Sequence, residues 1–144
     1  MKTWVQLVYK IPREPTAGRV YVWRKLKQLG AVALQDAVWV LPATPRTQEQ
    51  FQWLASEINE LGGEATLLTS ELVFSSDAVN LVDRFEEPVR KAYQDILKAL
   101  KRKTRDLAAL SRRFQEVQAR DYFQSKLGAE VRTRLLKARG KGKS

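Results

Sequence analysis

The side chains best equipped for chemistry in this chain are cations, and they are grouped. Lys98, Lys101, Arg102, Lys103, Arg105, Arg112 and Arg113 crowd one stretch, Arg24, Lys25 and Lys27 another, and Arg19 stands alone among apolar neighbours. Lysines and arginines along a helix can follow a phosphate backbone, and their number sets the salt dependence of binding. The same pattern also arises on helices whose charges are merely solvated. On a helical wheel Arg19 falls between Val22, Trp23 and Leu26, in the middle of an apolar face, where an unpaired charge would be costly. Either its stem packs while its guanidinium bonds carbonyls or a carboxylate such as Glu14 or Asp36, or it binds an anion or phosphate near the helix N-terminus.

Other chemistries lack their residues. The chain has no cysteine and no histidine, which removes disulfides, thiolate nucleophiles, the commonest general base and the commonest zinc ligand. There is no P-loop, dinucleotide fingerprint or nucleophile elbow. Asp83, Glu86 and Glu87 have partial metal spacing but read as a solvated helix face. The expectation is no catalytic residue, no metal and no cofactor. Trp4, Trp23, Trp39 and Trp53 could stack on bases, but Trp23 at a core-facing helical position and Trp39 in a strand read as core.

The net charge of +10 is uneven. Residues 1–97 hold 11 Lys/Arg against 12 Asp/Glu, whereas residues 98–144 hold 15 against 4. The whole excess lies in the last third, which points to a polyanion: nucleic acid first, an anionic membrane surface a distant alternative. No window is apolar enough to span a bilayer, and MKTWVQLVYKIP lacks the long apolar region of a signal peptide. A cytoplasmic address is expected.

These residues need elements to position them. Trp4–Ile11 alternates as a strand, with Val5, Leu7, Tyr9 and Ile11 on one face. Pro12 and Pro15 end it, and Thr16 can cap a helix in which Val22, Trp23, Leu26 and Leu29 share a side and Gly30 is the stop. Residues 31–35 and 37–41 read as a hairpin turning at Gln35-Asp36, with Pro42 terminating it. Thr44-Pro45 opens a second helix, where Thr47 and Gln50 offer a capping box and Phe51, Leu54, Ile58 and Leu61 the buried stripe. Residues 64–70 form a fourth strand after Gly62-Gly63. The order βαββαβ is the ferredoxin-like α+β pattern over residues 1–72. A helix followed by a two-stranded ribbon also mimics a winged helix, but the strand before it and the βαβ after it fit the ferredoxin-like order better.

Residues 77–139 read as a basic helical extension. Asp77 can cap a helix carrying Val82, Phe85, Val89, Tyr93, Ile96 and Leu100, with a kink or fresh start at Pro88. The link around Lys103–Asp106 allows either a bend or one continuous helix. Leu107, Leu110, Phe114 and Val117 continue the rhythm. Tyr122, Phe123, Leu127, Val131 and Leu135 lead into a short last helix interrupted at Gly128. Residues 140–144 read as a disordered tail.

The RVYVWRKLKQLGA run, the LQDAVWVLPAT hairpin, GGEATLL at 62–68 and RFQEVQARDYFQS at 113–125 resemble the N-terminal domain of the ChrB family of chromate-resistance regulators. The resemblance covers most of the chain and is most specific over residues 4–70. It implies a cytoplasmic DNA-binding regulator of a chromate-resistance operon, relieved by chromate. Members typically carry a further C-terminal domain implicated in sensing or handling chromate, outside these 144 residues. The helix, hairpin and VWVLP ending also resemble the Cas2-like half of PaaX-type repressors. Nucleases similar to Cas2 carry an acidic residue for a metal at the end of the first strand, where this chain has Tyr9-Lys10-Ile11.

The expected function is therefore DNA binding and transcriptional regulation in chromate resistance. The expected partners are DNA through the two basic groups and a second copy of the chain in a homodimer built on the heptad-like helices, with a chromate oxyanion a weaker expectation and Arg19 the candidate for binding an anion. One alternative is an oligomerisation or protein-interaction module without DNA contact; a more remote one is a Cas2-like metal-dependent nuclease.

Overall fold

The structure, a computed structural model, describes residues 3–141, with the side chains of all but 75–78 and 141. It divides into two compact units, Met1–Ala78 and Val79–Ser144.

The first unit follows the order β1 (Trp4–Lys10), α1 (Thr16–Leu29), β2 (Val32–Gln35), β3 (Val38–Pro42), α2 (Pro45–Glu60) and β4 (Glu64–Ser70). The four strands make one sheet in the order β2-β3-β1-β4, and every neighbouring pair is antiparallel. This is a mixed α+β unit. The register sets Leu7 opposite both Trp39 and Leu67, and Val5 opposite Leu41 and Thr69, so one face collects the apolar side chains at alternate positions. Val5, Leu7 and Leu41 are buried there.

Helix α2 packs on β1 and β4 through Phe51, Leu54 and Ile58, all buried. Its first turn is closed by a capping box at Thr44, the hydroxyl the sequence places before Pro45, one turn earlier than the Thr47–Gln50 box. Thr44 is the N-cap and its hydroxyl accepts from the Thr47 amide at 3.0 Å, while the Thr47 hydroxyl accepts from the Thr44 amide at 2.9 Å. Gln50 takes no part in it, and Leu61 is an exposed C-cap rather than part of the stripe.

Helix α1 departs further from expectation. Its N-cap is Pro15, with no side-chain cap, and Thr16 is the first helical residue. The buried line is Gly18, Val22 and Leu26. That axis lies about one position, some 100°, from a line drawn through Trp23 and Arg19. Gly30 ends the helix in the left-handed conformation, φ 76°, as a C-cap glycine should. The hairpin turns at Asp36-Ala37, since Gln35 pairs with Val38, and Ala37 itself takes φ 60°. Gly63 closes the other end of the sheet. A Cβ there would lie 2.3 Å from the Lys10 carbonyl oxygen and 2.9 Å from Ile58 Cγ2.

The second unit is helical: most of α3 (Ser75–Leu100), then α4 (Leu107–Ala119) and α5 (Lys126–Lys141). Its core is Val89, Ala92, Tyr93, Ile96, Phe114, Val117, Val131 and Leu135. α3 is continuous through Pro88, so there is no fresh start. The expected Asp77 cap lies outside the described side chains, and residues 142–144 of the expected tail lie outside the described residues altogether. The chain breaks helix at 101–106, and Asp106 caps α4 by accepting from the Ala109 amide at 3.0 Å.

Gly128 does not interrupt the last helix; it lies inside α5 because Tyr93 occupies the space a side chain would need. A Cβ would meet the Tyr93 hydroxyl at 2.9 Å and its ring at 3.0 Å. The Tyr93 hydroxyl donates to Asp121 Oδ2 at 2.9 Å, and the same carboxylate accepts the Ser125 amide at 3.1 Å. Phe85 meets Tyr122 and Phe123 edge-on, at 6.1 and 5.9 Å between ring centres. The RFQEVQARDYFQS segment is thus largely architecture.

Candidate functional site

Two places gather the side chains singled out by the sequence, one in each unit. In the second unit, α3 ends at Leu100 and the chain turns back over its own C-terminus. Four C-terminal carbonyls of a helix lack intrahelical donors. Arg105 supplies one: its guanidinium donates to the carbonyls of Leu100 at 3.0 Å and Arg102 at 3.3 Å. The positive group also suits the negative end of the helix dipole. With the turn held this way, Lys101 and Arg105 line a small cleft with Arg134 and Lys137 of α5, over Leu97, Leu100 and Ala138. Lys98, Lys101, Arg102, Lys103, Arg105, Arg112 and Arg113 are all exposed. Lys98 ends α3, the next four occupy the turn, and Arg112 and Arg113 stand on α4.

The cleft therefore draws on three parts of the chain. Arg134 and Lys137 are brought to Lys101 and Arg105 by folding. In the sequence the first pair belongs only to the general cationic excess of residues 98–144. Arg134 also forms an exposed ion pair with Glu130 at 3.4 Å, worth little on its own in water. Fixed cations around a shallow apolar floor can hold phosphate or another anion without selecting a sequence.

In the first unit, Thr16, Arg19, Val20 and Trp23 follow one another at helical spacing along the flank of α1. They form one wall of a cleft of about 760 Å³ whose other walls include Tyr9, Lys10, Gln35, Asp36 and Trp39. Arg19 is exposed, not central to the apolar face, and among the described residues it makes no hydrogen bond or ion pair with Glu14, Asp36 or any carbonyl. The Tyr9 hydroxyl holds its proton above the ordinary tyrosine range because burial disfavours the phenolate. A hydrogen bond from Trp39 and the charge of Arg19 both work against that shift. Trp39 is buried, whereas Trp23 is 51% exposed, so the expected core role holds for the first and not the second. Trp4 is buried and Trp53 exposed.

The basic face of α1 is partly spoken for. Lys27 places its ammonium 5.8 Å from the Trp23 ring centre and Lys25 its own 5.8 Å from that of Tyr21, within cation–π range. Tyr21 in turn donates to Glu57 of α2. Arg24 is exposed. Elsewhere, Asp83 and Glu87 are exposed and Glu86 faces Arg90 at 3.8 Å. Among the described residues no group of acidic side chains is placed to hold a metal ion, and no helix is long and apolar enough to cross a membrane.

The family model described as "Protein ChrB, N-terminal" matches residues 19–103, more than half of the chain. The match takes in the α1 flank from Arg19 and ends within the basic turn. Among curated proteins, the Protein ChrB of Cupriavidus metallidurans is 33% identical over 66 residues, which cover 46% of this chain and 20% of that relative. The aligned segment thus spans about a fifth of the relative's length. No solved structure matches.

Proposed function

Since the chain belongs to the family of ChrB N-terminal domains, we propose that it is a DNA-binding transcriptional regulator in chromate resistance, acting in the cytoplasm as a homodimer. The observation that carries DNA binding is the convergence of Lys101, Arg105, Arg134 and Lys137 on one cleft, with Arg105 pinned by two carbonyls. Pinned cations lose less side-chain freedom on meeting a phosphate than free ones do. The exposed Lys98, Arg102, Lys103, Arg112 and Arg113 extend that surface, and Arg24, Lys25 and Lys27 offer a second one. The link to chromate rests on the family alone; Arg19, without a hydrogen-bond or ion-pair partner among the described residues, is the group suited to an oxyanion. The succession βαββαβ and the strand order β2-β3-β1-β4 support a ferredoxin-like, Cas2-like layout. Lys10 at the end of β1 favours a binder over a metal-dependent nuclease.

The test is fluorescence anisotropy on a labelled duplex from upstream of the chain's own gene, against scrambled DNA, across a salt series with and without chromate. Preference for the cognate duplex, weakened by chromate, is the expected result. Replacing Lys101, Arg134 and Lys137 together by glutamine should lower the slope of log K on log salt by about two to three, roughly one for each phosphate no longer neutralised. No binding at low salt, with a stable oligomer by light scattering, would instead assign the domain to protein interaction.

A further inference from the structure

The cleft beside α1 holds features that neither DNA binding nor a bare oxyanion uses. We propose that it takes an organic monoanion built on an aromatic ring, the ring lying against Trp23 and the charged group meeting Arg19.

Size is the first argument. At about 760 Å³ the cleft is in the range of small-molecule sites, roughly 300–1,000 Å³. A tetrahedral oxyanion, only a few times the ~30 Å³ of a water molecule, would leave most of it filled with solvent. The lining is the second argument. Trp23, about half exposed, lines the cleft from α1 with Val20 and Arg19, and Tyr9 and the buried Trp39 line it from the sheet. An exposed indole beside a guanidinium that has no hydrogen-bond or ion-pair partner among the described residues suits a planar ring bearing a carboxylate. Charge is the third. Lys10 and Arg19 are the cations of the lining and Asp36 its carboxylate, which leaves one positive charge in excess and matches a single negative charge.

The site lies wholly in the first unit, whereas the proposed phosphate cleft lies in the second, so either can fail alone. The experiment is titration of the full chain with sodium 2-naphthoate, followed by calorimetry and by the NMR signals of the Trp23 and Trp39 indole N–H groups. The neutral 2-naphthalenemethanol and sodium sulfate serve as comparisons. Naphthoate should bind at one site, shift both indole signals, and bind at least tenfold more weakly to Arg19→Gln and to Trp23→Ala. Both replaced residues are exposed, and an unchanged NMR spectrum elsewhere checks that each variant is folded. Equal binding of the neutral alcohol, or of naphthoate to Arg19→Gln, would overturn the proposal by removing the role of charge. The same indole shifts from sulfate alone would overturn it in favour of a bare-oxyanion site. So would the absence of naphthoate binding at millimolar concentration.

Discussion

Each unit sets a tyrosine beside a charged residue, with opposite results. In the second unit Tyr93 donates to Asp121, and that carboxylate also takes the Ser125 amide, so every polar atom of the group is engaged inside the protein. In the first, Tyr9 lies near Arg19 and Trp39 on the wall of an open cleft, and Arg19 has no hydrogen-bond or ion-pair partner among the described residues. Satisfied polar groups lock a core into one arrangement; unsatisfied ones on a cleft wall stand ready for a ligand. The contrast separates architecture from recognition more sharply than residue type does.

The largest effect should come from the frame of the open side. In Gly63→Ala the new Cβ would press on the Lys10 carbonyl at 2.3 Å, a backbone atom that cannot swing aside. A loss of about 3 kcal/mol is expected in urea denaturation. A smaller value would mean that the strand behind the cleft is compliant. On the closed side, Gly128→Ala sets a methyl against Tyr93 at 2.9–3.0 Å. Alanine ordinarily gains about 1 kcal/mol over glycine within a helix, so a net loss of about 1–2 kcal/mol would show that the ring is held fast.

Tyr93→Phe should cost about 1–2 kcal/mol by removing a hydrogen bond to a charged group, and it should also change the pH dependence. Burial and the neighbouring Asp121 raise the Tyr93 hydroxyl well above its ordinary value of 10.0. Above pH 10 the unfolded chain releases this proton while the folded one keeps it, so stability should fall as pH rises from 10 toward the folded value. Denaturation midpoints at pH 9 and 11 should differ less in Tyr93→Phe than in the parent. Tyr9→Phe should show the smallest change, under about 1 kcal/mol, since burial raises its hydroxyl while Trp39 and Arg19 oppose the shift. If Tyr9→Phe matched Tyr93→Phe, the distinction between the two tyrosines would be lost.

Much of the first unit is legible in the sequence. Strand alternation, the Gly30 stop, Thr44-Pro45 and the Gly62-Gly63 break place its elements to within a residue or two. The departures share a cause. A wheel of α1 centres on Trp23 because tryptophan is large and apolar, yet the buried line runs through Gly18, which Ile11 and Leu61 cover. Gly128 reads as a break for the same reason: a sequence pattern registers what a glycine lacks, while Tyr93, distant in the chain, determines what fills the space. The basic stretch at 98–113 is plain in the sequence, but its meeting with Arg134 and Lys137 is not, because periodicity within one helix carries no information about which helix lies opposite.

Arg105 separates charge from shape in a way that counting charges cannot. One guanidinium nitrogen, Nη1, donates to both carbonyls, and the planar, delocalised group aims its N–H bonds in fixed directions, which an ammonium on a freely rotating stem does not reproduce. Arg105→Lys would leave the electrostatic field of the turn almost untouched while releasing the segment that spaces Lys101 from Lys103. Two proteins with the same net charge at neutral pH would then differ in how sharply the turn is ordered, a difference visible in amide hydrogen exchange of residues 101–105.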